Sequence, residues 1–258
     1  MLRGLNAGRL ESITLVEWLA IDGVVLLRHV LEDIGYGGDR RALLSAVEQL
    51  RSEGVMQRVR GTAAAIRSAF VPRRDGPRLL AALAGHASDM ARTWAAYAAA
   101  MGPRPPLKAL LAALRPFAAD RSGAVRECTW VALRPHLARD LRAAFRALGP
   151  WVRDADAGVR RCAVEATRPR GVWCSHIESL KTDPEPGLVL LDVVRADPSD
   201  YVRRSVANWI NDASKSRPEW TRAVCGRWLE ESPVAETRWI VNHALRTLRR
   251  QGGKKRTS

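Results

Sequence analysis

Apolar residues recur with helical period along most of the chain, and one polar phrase interrupts them at nearly constant intervals. Asp120 stands five residues before Val125-Arg126, Asp154 five before Val159-Arg160 and Asp197 five before Val202-Arg203, with Ser232 before Thr237-Arg238 as a weaker fourth copy. The Val/Thr positions lie 34, 43 and 35 residues apart, the length of a helical-hairpin repeat. Another 34 residues upstream of Val125 stands Ala91-Arg92, in the similarly helical MARTWAAYAAA, so at least five units are expected. Each phrase reads as a helix start, with an acidic or hydroxyl residue near the N-terminal turn, where unpaired amides and the helix dipole favour it.

Aligned on the Val/Thr position, the copies separate two faces. Positions 0, 4, 7 and 8 read Val125, Thr129, Ala132, Leu133; Val159, Ala163, Ala166, Thr167; Val202, Val206, Trp209, Ile210; and Thr237, Val241, Ala244, Leu245. This is an apolar stripe of small residues suited to stacking neighbouring repeats. Positions 2, 6 and 9 read Glu127, Val131, Arg134; Arg161, Glu165, Arg168; Arg204, Asn208, Asn211; and Trp239, His243, Arg246. Equivalent positions of successive repeats line one continuous surface, usually the concave one, so this second face is where function is sought.

The pattern predicts an all-α chain. One amphipathic stretch covers 10–34, with a break near Gly23, and Gly35 to Gly38 closes it. Helical segments near 39–70 and 77–100 follow, separated by the breaker VPRRDGP at 71–77. MGPRPP at 101–106 excludes helix through Pro103, Pro105 and Pro106. Further helices are predicted over about 107–119, 124–139, 140–149, 158–168, 175–181, 187–195, 201–215, 218–231 and 236–250. The organisation expected is a single repeat domain over 1–250, with an N-terminal cap over roughly 1–70 and repeats over roughly 77–250, then a basic flexible tail at 251–258.

Charge points this array toward a polyanion. The net charge is +15, and residues 1–50 hold 5 Arg against 7 Asp/Glu, so the excess lies in the rest of the chain. The cations are 37 Arg against 5 Lys. Arginine suits forked phosphate contacts, although a GC-rich genome produces the same bias.

Several classes are set aside. No window approaches an apolar span of about 20 residues, and MLRGLNAGRLES lacks the basic-then-apolar pattern of a secretory signal, so a cytoplasmic protein is expected. Cys128, Cys162, Cys174 and Cys225 include no CxxC pair and read as inert core thiols. No Walker loop, GxGxxG or HExxH occurs, so neither a nucleotide cofactor nor a catalytic metal is expected. His243 has no second ligand at metal spacing.

The densest chemistry lies in DADAGVRRCAVEATRPRGVWCSH at 154–176. A helix carrying Arg160, Arg161 and Glu165 stops at Arg168-Pro169-Arg170-Gly171, and Trp173 follows in a turn. Glu127 at position 2 and Glu165 at position 6 of neighbouring repeats lie about one helical turn apart on one face, which would bring two carboxylates into one groove. A lone Glu beside arginines is usually a solvated salt-bridge partner. Arg168, Arg170, Arg203, Arg204, Asn208, Asn211, Lys215, His243 and Arg246 recur near the starts or inner faces of C-terminal helices and read as phosphate contacts. Of the nine tryptophans, Trp130 and Trp209 read as packing residues.

From residue 11 to about 250 the chain resembles the HEAT-like DNA alkylation repair glycosylases, the AlkC branch more than the AlkD branch. The resemblance is carried by TLVEWLAIDGVVLLRHVL, VRECTWVALRPHL, VRRCAVEATRPRGVW, VANWINDASKSRPEW and TRWIVNHALRTLRR. It departs at Gly171-Val172, where relatives often show Leu-Pro, and no immunoglobulin-like domain is expected to follow. The resemblance implies a right-handed solenoid of HEAT-like repeats with a curved, positively charged concave groove. It implies a monofunctional, monomeric glycosylase that releases cationic alkylated bases, such as 3-methyladenine or 3-methylcytosine, from double-stranded DNA without base flipping or a cofactor. If the source is bacterial, association with the nucleoid is expected. Carried over residue by residue, Glu127 and Glu165 would face the lesion deoxyribose, Arg161 would orient them and hold phosphate, Arg134 and Arg168 would flank them, and Trp173 would press on the damaged nucleotide. A catalytically silent DNA-binding solenoid and a HEAT-type protein scaffold are the alternatives. Paired carboxylates facing phosphate argue against the first, and the net positive face against the second.

Overall fold

The computed structural model describes residues 1–102, 105–172 and 174–254, and all regular elements among them are helical. By its packing the chain divides into two compact units, Met1–Ala132 and Leu133–Ser258. The first holds α1 (Leu2–Asn6), α2 (Leu15–Ala20), α3 (Gly23–Asp33), α4 (Arg40–Glu48), α5 (Val55–Phe70), α6 (Gly76–Ala84), α7 (Asp89–Ala100), α8 (Leu107–Ala118) and the first part of α9 (Gly123–Leu137). The second holds the end of α9, then α10 (Leu141–Leu148), α11 (Ala157–Ala166), α12 (Glu178–Thr182), α13 (Leu188–Leu191), α14 (Asp200–Ser214), α15 (Pro218–Glu231), α16 (Ala235–Ala244) and α17 (Arg246–Lys254). Among the described residues no helix is long and apolar enough to cross a membrane.

Local chemistry explains where the long predicted segments divide. The 10–34 stretch splits just before Gly23, because Asp22 turns its carboxylate onto the amides of Val24 (3.0 Å) and Val25 (3.1 Å) and starts α3. Upstream, Thr14 and Glu17 form a reciprocal capping box at the start of α2. The segment near 77–100 is two helices, since Ser88 caps a new start by accepting from the Ala91 amide. The 39–70 segment is likewise two, with Asp39 capping α4 and Gly54 preceding α5. At the C-terminus the 236–250 helix breaks at Leu245, and α17 runs on to Lys254, beyond the expected boundary at 250. The short α1 and two 3₁₀ turns, Trp151–Arg153 and Glu185–Gly187, carry too little periodicity to have been anticipated. Pro103 of the expected breaker lies outside the described residues.

The apolar stripe is buried as expected: every residue at positions 0, 4, 7 and 8 is buried except Leu245, which is half-buried. In the second unit α14 packs on both α11 and α16, with Trp209 wholly enclosed and its indole N–H donating to the Thr167 carbonyl (3.0 Å). In the first, α7 packs on α5, α6 and α8 around Trp94.

The recurring aspartates have a different role from the one expected. They do not cap the helices: α11 is capped by Asp156, and Ser199 precedes α14. Instead Asp120, Asp154 and Asp197 each accept from the amide two residues on, at 2.7, 2.9 and 2.9 Å, closing the turn before the helix. Asp120 and Asp197 also receive an arginine from the preceding repeat. Arg92 donates from Nε (2.7 Å) and Nη2 (2.9 Å) to Asp120, and Arg160 does the same to Asp197 at the same distances. The third nitrogen of each Arg at position 1 bonds the carbonyls six and five residues before it: His86 and Ala87 for Arg92, Asp120 and Arg121 for Arg126, Asp154 and Ala155 for Arg160, and Asp197 and Pro198 for Arg203. Forked pairing of this kind is strong because both partners are charged and the guanidinium is planar.

The weak fourth copy has a physical consequence. Ser232 stands where the other repeats have Asp, and the Nε of Arg203 is buried with no hydrogen-bond partner among the described residues. Its guanidinium lies over the Trp239 ring, 5.7 Å from the centroid. Ser232→Asp supplies the missing acceptor and is expected to stabilise the protein by about 1 kcal/mol, the scale of one added charged hydrogen bond. The measurement is the urea midpoint; an unchanged or lower midpoint means that the fourth position does not share the geometry of the others.

Candidate nucleic-acid interface and active site

The end of α11 and the turn after it bring a polar cluster against α14. Glu165 is 2% exposed and its carboxylate has three partners: Arg168 Nη1 at 2.9 Å, the Ser205 hydroxyl at 2.7 Å and Arg161 Nη1 at 3.5 Å. Arg161 also donates to Ser205 and lies over the Tyr201 ring, 4.3 Å from its centroid. Arg168 continues to a second buried carboxylate, Asp212, through Nε (2.9 Å) and Nη2 (2.8 Å). Lys215 pairs with the other Asp212 oxygen at 3.0 Å. Arg170 reaches the Asp212 carbonyl (3.3 Å) and the Ser216 hydroxyl (2.7 Å). Burial opposes the charge on Arg168, but Glu165 and Asp212 outweigh it and hold its pKa above the ordinary arginine value.

The result is a fixed set of charges in which Arg161, Arg168, Arg170 and Lys215 outnumber Glu165 and Asp212. Such a cluster keeps a surplus of positive charge for an anion while its carboxylates remain hydrogen-bonded. Asp212 and Ser205 were not singled out in the sequence. They stand at positions 10 and 3 of their repeat, one residue round the helix from 9 and 2, so helices α11 and α14 meet with an offset that a same-position alignment misses.

The remaining expected residues divide by depth. Arg204 is exposed and pairs with Asp200 at 2.9 Å, a rim cation free to exchange partners. Arg246 donates to Asn208 (2.8 Å) and is half-buried; burial lowers its pKa. His243 stacks on Trp239 at 3.7 Å, with Nδ1–H donating to the Trp239 carbonyl (2.8 Å), which fixes its tautomer. Three residues expected on an open surface are engaged inside instead. Arg134 is 2% exposed and donates to the carbonyls of Ser175 (3.0 Å) and Ala166 (3.2 Å). Asn211 is buried and ties α14 to the Ala244 carbonyl and Thr247. Arg203 closes its repeat turn as described above.

Glu127 belongs to the first unit, is half-buried on α9, and accepts from the Trp130 indole at 2.8 Å. Trp130 and Trp209 are both buried, as expected of packing residues. Trp173 lies outside the described residues. At the departure from the family pattern, Gly171 makes room for its neighbour: a Cβ there would collide with Cys174 Sγ. Among the described residues no group of three or more His, Cys, Asp or Glu side chains could hold a metal ion.

The fold is a HEAT-like helical-repeat array, and comparison with known proteins narrows it. No family model matches the chain. Over 86 residues, 33% of this chain and 24% of the relative, it is 45% identical to the uncharacterized protein YhaZ of Bacillus subtilis (strain 168). Among solved structures it is similar to the Pseudomonas fluorescens alkylpurine DNA glycosylase AlkC bound to DNA containing an abasic site analog, with a TM-score of 0.76 and 30% identity, covering 89% of this chain and 64% of that one. It is also similar in fold to AlkD2 from Streptococcus mutans, with a TM-score of 0.57 and 18% identity over 85% of this chain and 97% of that one. The chain thus spans less than two thirds of the length of YhaZ and of AlkC. Its fold is similar to those of AlkC and AlkD2, and of the two it is the more similar to AlkC.

Proposed function

We propose that this chain is a monofunctional DNA glycosylase that hydrolyses the N-glycosidic bond of cationic alkylated bases in duplex DNA. The observation that carries this reading is a buried carboxylate, Glu165, set among surplus cations on a fold similar to that of AlkC. Alkylation at a ring nitrogen makes the base cationic. The glycosidic electron pair then leaves with a base that departs neutral, C1′ of the sugar becomes oxocarbenium-like, and water adds there. What the protein must supply is negative charge near the sugar and a grip on the neighbouring phosphates.

Arg161, Arg170, Arg204 and Lys215 provide the grip. Glu165 is covered in the free protein by Arg161, Arg168 and Ser205. A DNA phosphate that draws Arg161 away from its 3.5 Å pairing removes one cation from Glu165 Oε1, which Ser205 still holds at 2.7 Å while Arg168 holds Oε2. Less of the Glu165 charge is then neutralised when DNA is in place. Because no strong general acid stands in the cluster, neutral lesions are poor substrates. Drawing the base into a pocket is not required by this chemistry, and a monomer suffices for it.

The test is chromatography of bases released from methylated and from uracil-containing duplexes, without added metal or nucleotide. Release of 3-methyladenine or 3-methylcytosine ahead of 7-methylguanine, and no uracil, is the expected result. Efficient uracil release, or binding of DNA with no release of any methylated base, would overturn the reading; the second outcome leaves a silent DNA-binding repeat protein.

A further inference from the structure

Cys174 is set apart from the other cysteines by its surroundings. Cys128 and Cys225 are buried, and burial pushes both thiols up to about 12, so neither forms a thiolate near neutral pH. Cys162 is buried on the packing face of α11. Cys174 is half-buried in the turn that follows α11. Against this turn lies the guanidinium of Arg134, whose Nε donates to the carbonyl of the next residue, Ser175, at 3.0 Å. Nη1 is used on the Ala166 carbonyl, and Nη2 is buried with no hydrogen-bond partner among the described residues.

Gly171 lies against both groups: a Cβ placed there would overlap Cys174 Sγ and would stand 3.5 Å from Arg134 Cζ. A buried arginine nitrogen left without an acceptor is costly, and an anionic sulfur in this turn, or an oxygen carried on it, would supply one after a small shift. Burial lowers the Arg134 pKa; an ionised Cys174, with Asp212 and Glu165, would oppose that shift, and Arg168 adds to it.

We infer that Cys174 is a reactive, peroxide-sensitive thiol, held as the thiolate and then as the sulfenate by the spare N–H of Arg134. The thiolate attacks one peroxide oxygen, an S–O bond forms, the O–O bond breaks, and hydroxide leaves to take a proton as water. Sulfur is oxidised by two electrons and the peroxide is reduced. The step needs only hydrogen peroxide as co-reactant. It stands independently of the glycosylase reading, because its test does not use DNA.

The test is iodoacetamide alkylation of the full chain, read at each cysteine by peptide mass spectrometry from pH 5.5 to 9.5. Cys174 is expected to react with a midpoint below about 7.5, against about 8.5 for an ordinary thiol. Arg134→Gln is expected to slow its alkylation at pH 6.5 by about tenfold, the effect of roughly one pH unit on thiolate population. After brief treatment with equimolar hydrogen peroxide, a dimedone adduct is expected at Cys174 and at no other cysteine. A wild-type midpoint at or above about 8.5, or no dimedone adduct at Cys174, overturns the inference even if Arg134→Gln fails to fold.

Discussion

Glu165→Gln is expected to lower the rate of base release by on the order of a hundredfold or more, the usual scale for losing a charge directed at a transition state. DNA affinity should stay within a fewfold of wild type. Glutamine has nearly the same size, its carbonyl still accepts from the Ser205 hydroxyl, and Arg168 keeps its second carboxylate in Asp212. The bond from Arg168 Nη1 to the other Glu165 oxygen is lost with the charge, so the urea midpoint is measured alongside. Single-turnover release from a methylated duplex, with binding measured in parallel, separates the outcomes. Wild-type release by Glu165→Gln would falsify the assignment of the negative charge to this residue. Loss of binding together with release would make Glu165 an organiser of the cation cluster instead.

Asp197→Ala is expected to destabilise the protein by about 3–5 kcal/mol, the scale reported for removing one partner from a buried ion pair. Asp197 is 5% exposed and accepts three hydrogen bonds, two from Arg160 and one from the Ser199 amide. Its loss strands a guanidinium that is itself mostly enclosed and opens the turn before α14, the central helix of the second unit's core. Urea unfolding followed by circular dichroism gives the value. Because both residues serve one interaction, Arg160→Ala with Asp197→Ala should cost less than the sum of the single changes. A loss below about 1 kcal/mol for Asp197→Ala would show the clasp to be incidental.

What could be read from the sequence was the part that burial writes as a period. The stripe at positions 0, 4, 7 and 8 was legible because a helix that must bury one side can hardly avoid repeating it, and Val159, Ala163, Val202, Val206 and Trp209 all lie where that argument put them. Periodicity gives a direction around the helix but not depth. Arg134 was therefore assigned to an open face when it is enclosed beneath the turn at Ser175. The aspartates were visible as a repeat and misread as caps, since an Asp before a helix is chemically suited to both roles. Only its partner decides, and that partner lies 28 residues away for Asp120 and 37 for Asp197. Asp212 escaped notice because neighbouring repeats pair residues at different positions. Repeat position picked out Glu127 and Glu165 as a carboxylate pair and the turn after α11 picked out Trp173, whereas their catalytic roles came only through family resemblance.

The clasps Arg92 to Asp120 and Arg160 to Asp197 run the same way along the chain, each arginine reaching forward to the following repeat. Such a clasp is directional: one copy supplies the cation and the next supplies the acceptor. The copy at Ser232 receives no such clasp, so the junction it forms with the preceding copy depends on other contacts, among them Arg203 over the Trp239 ring.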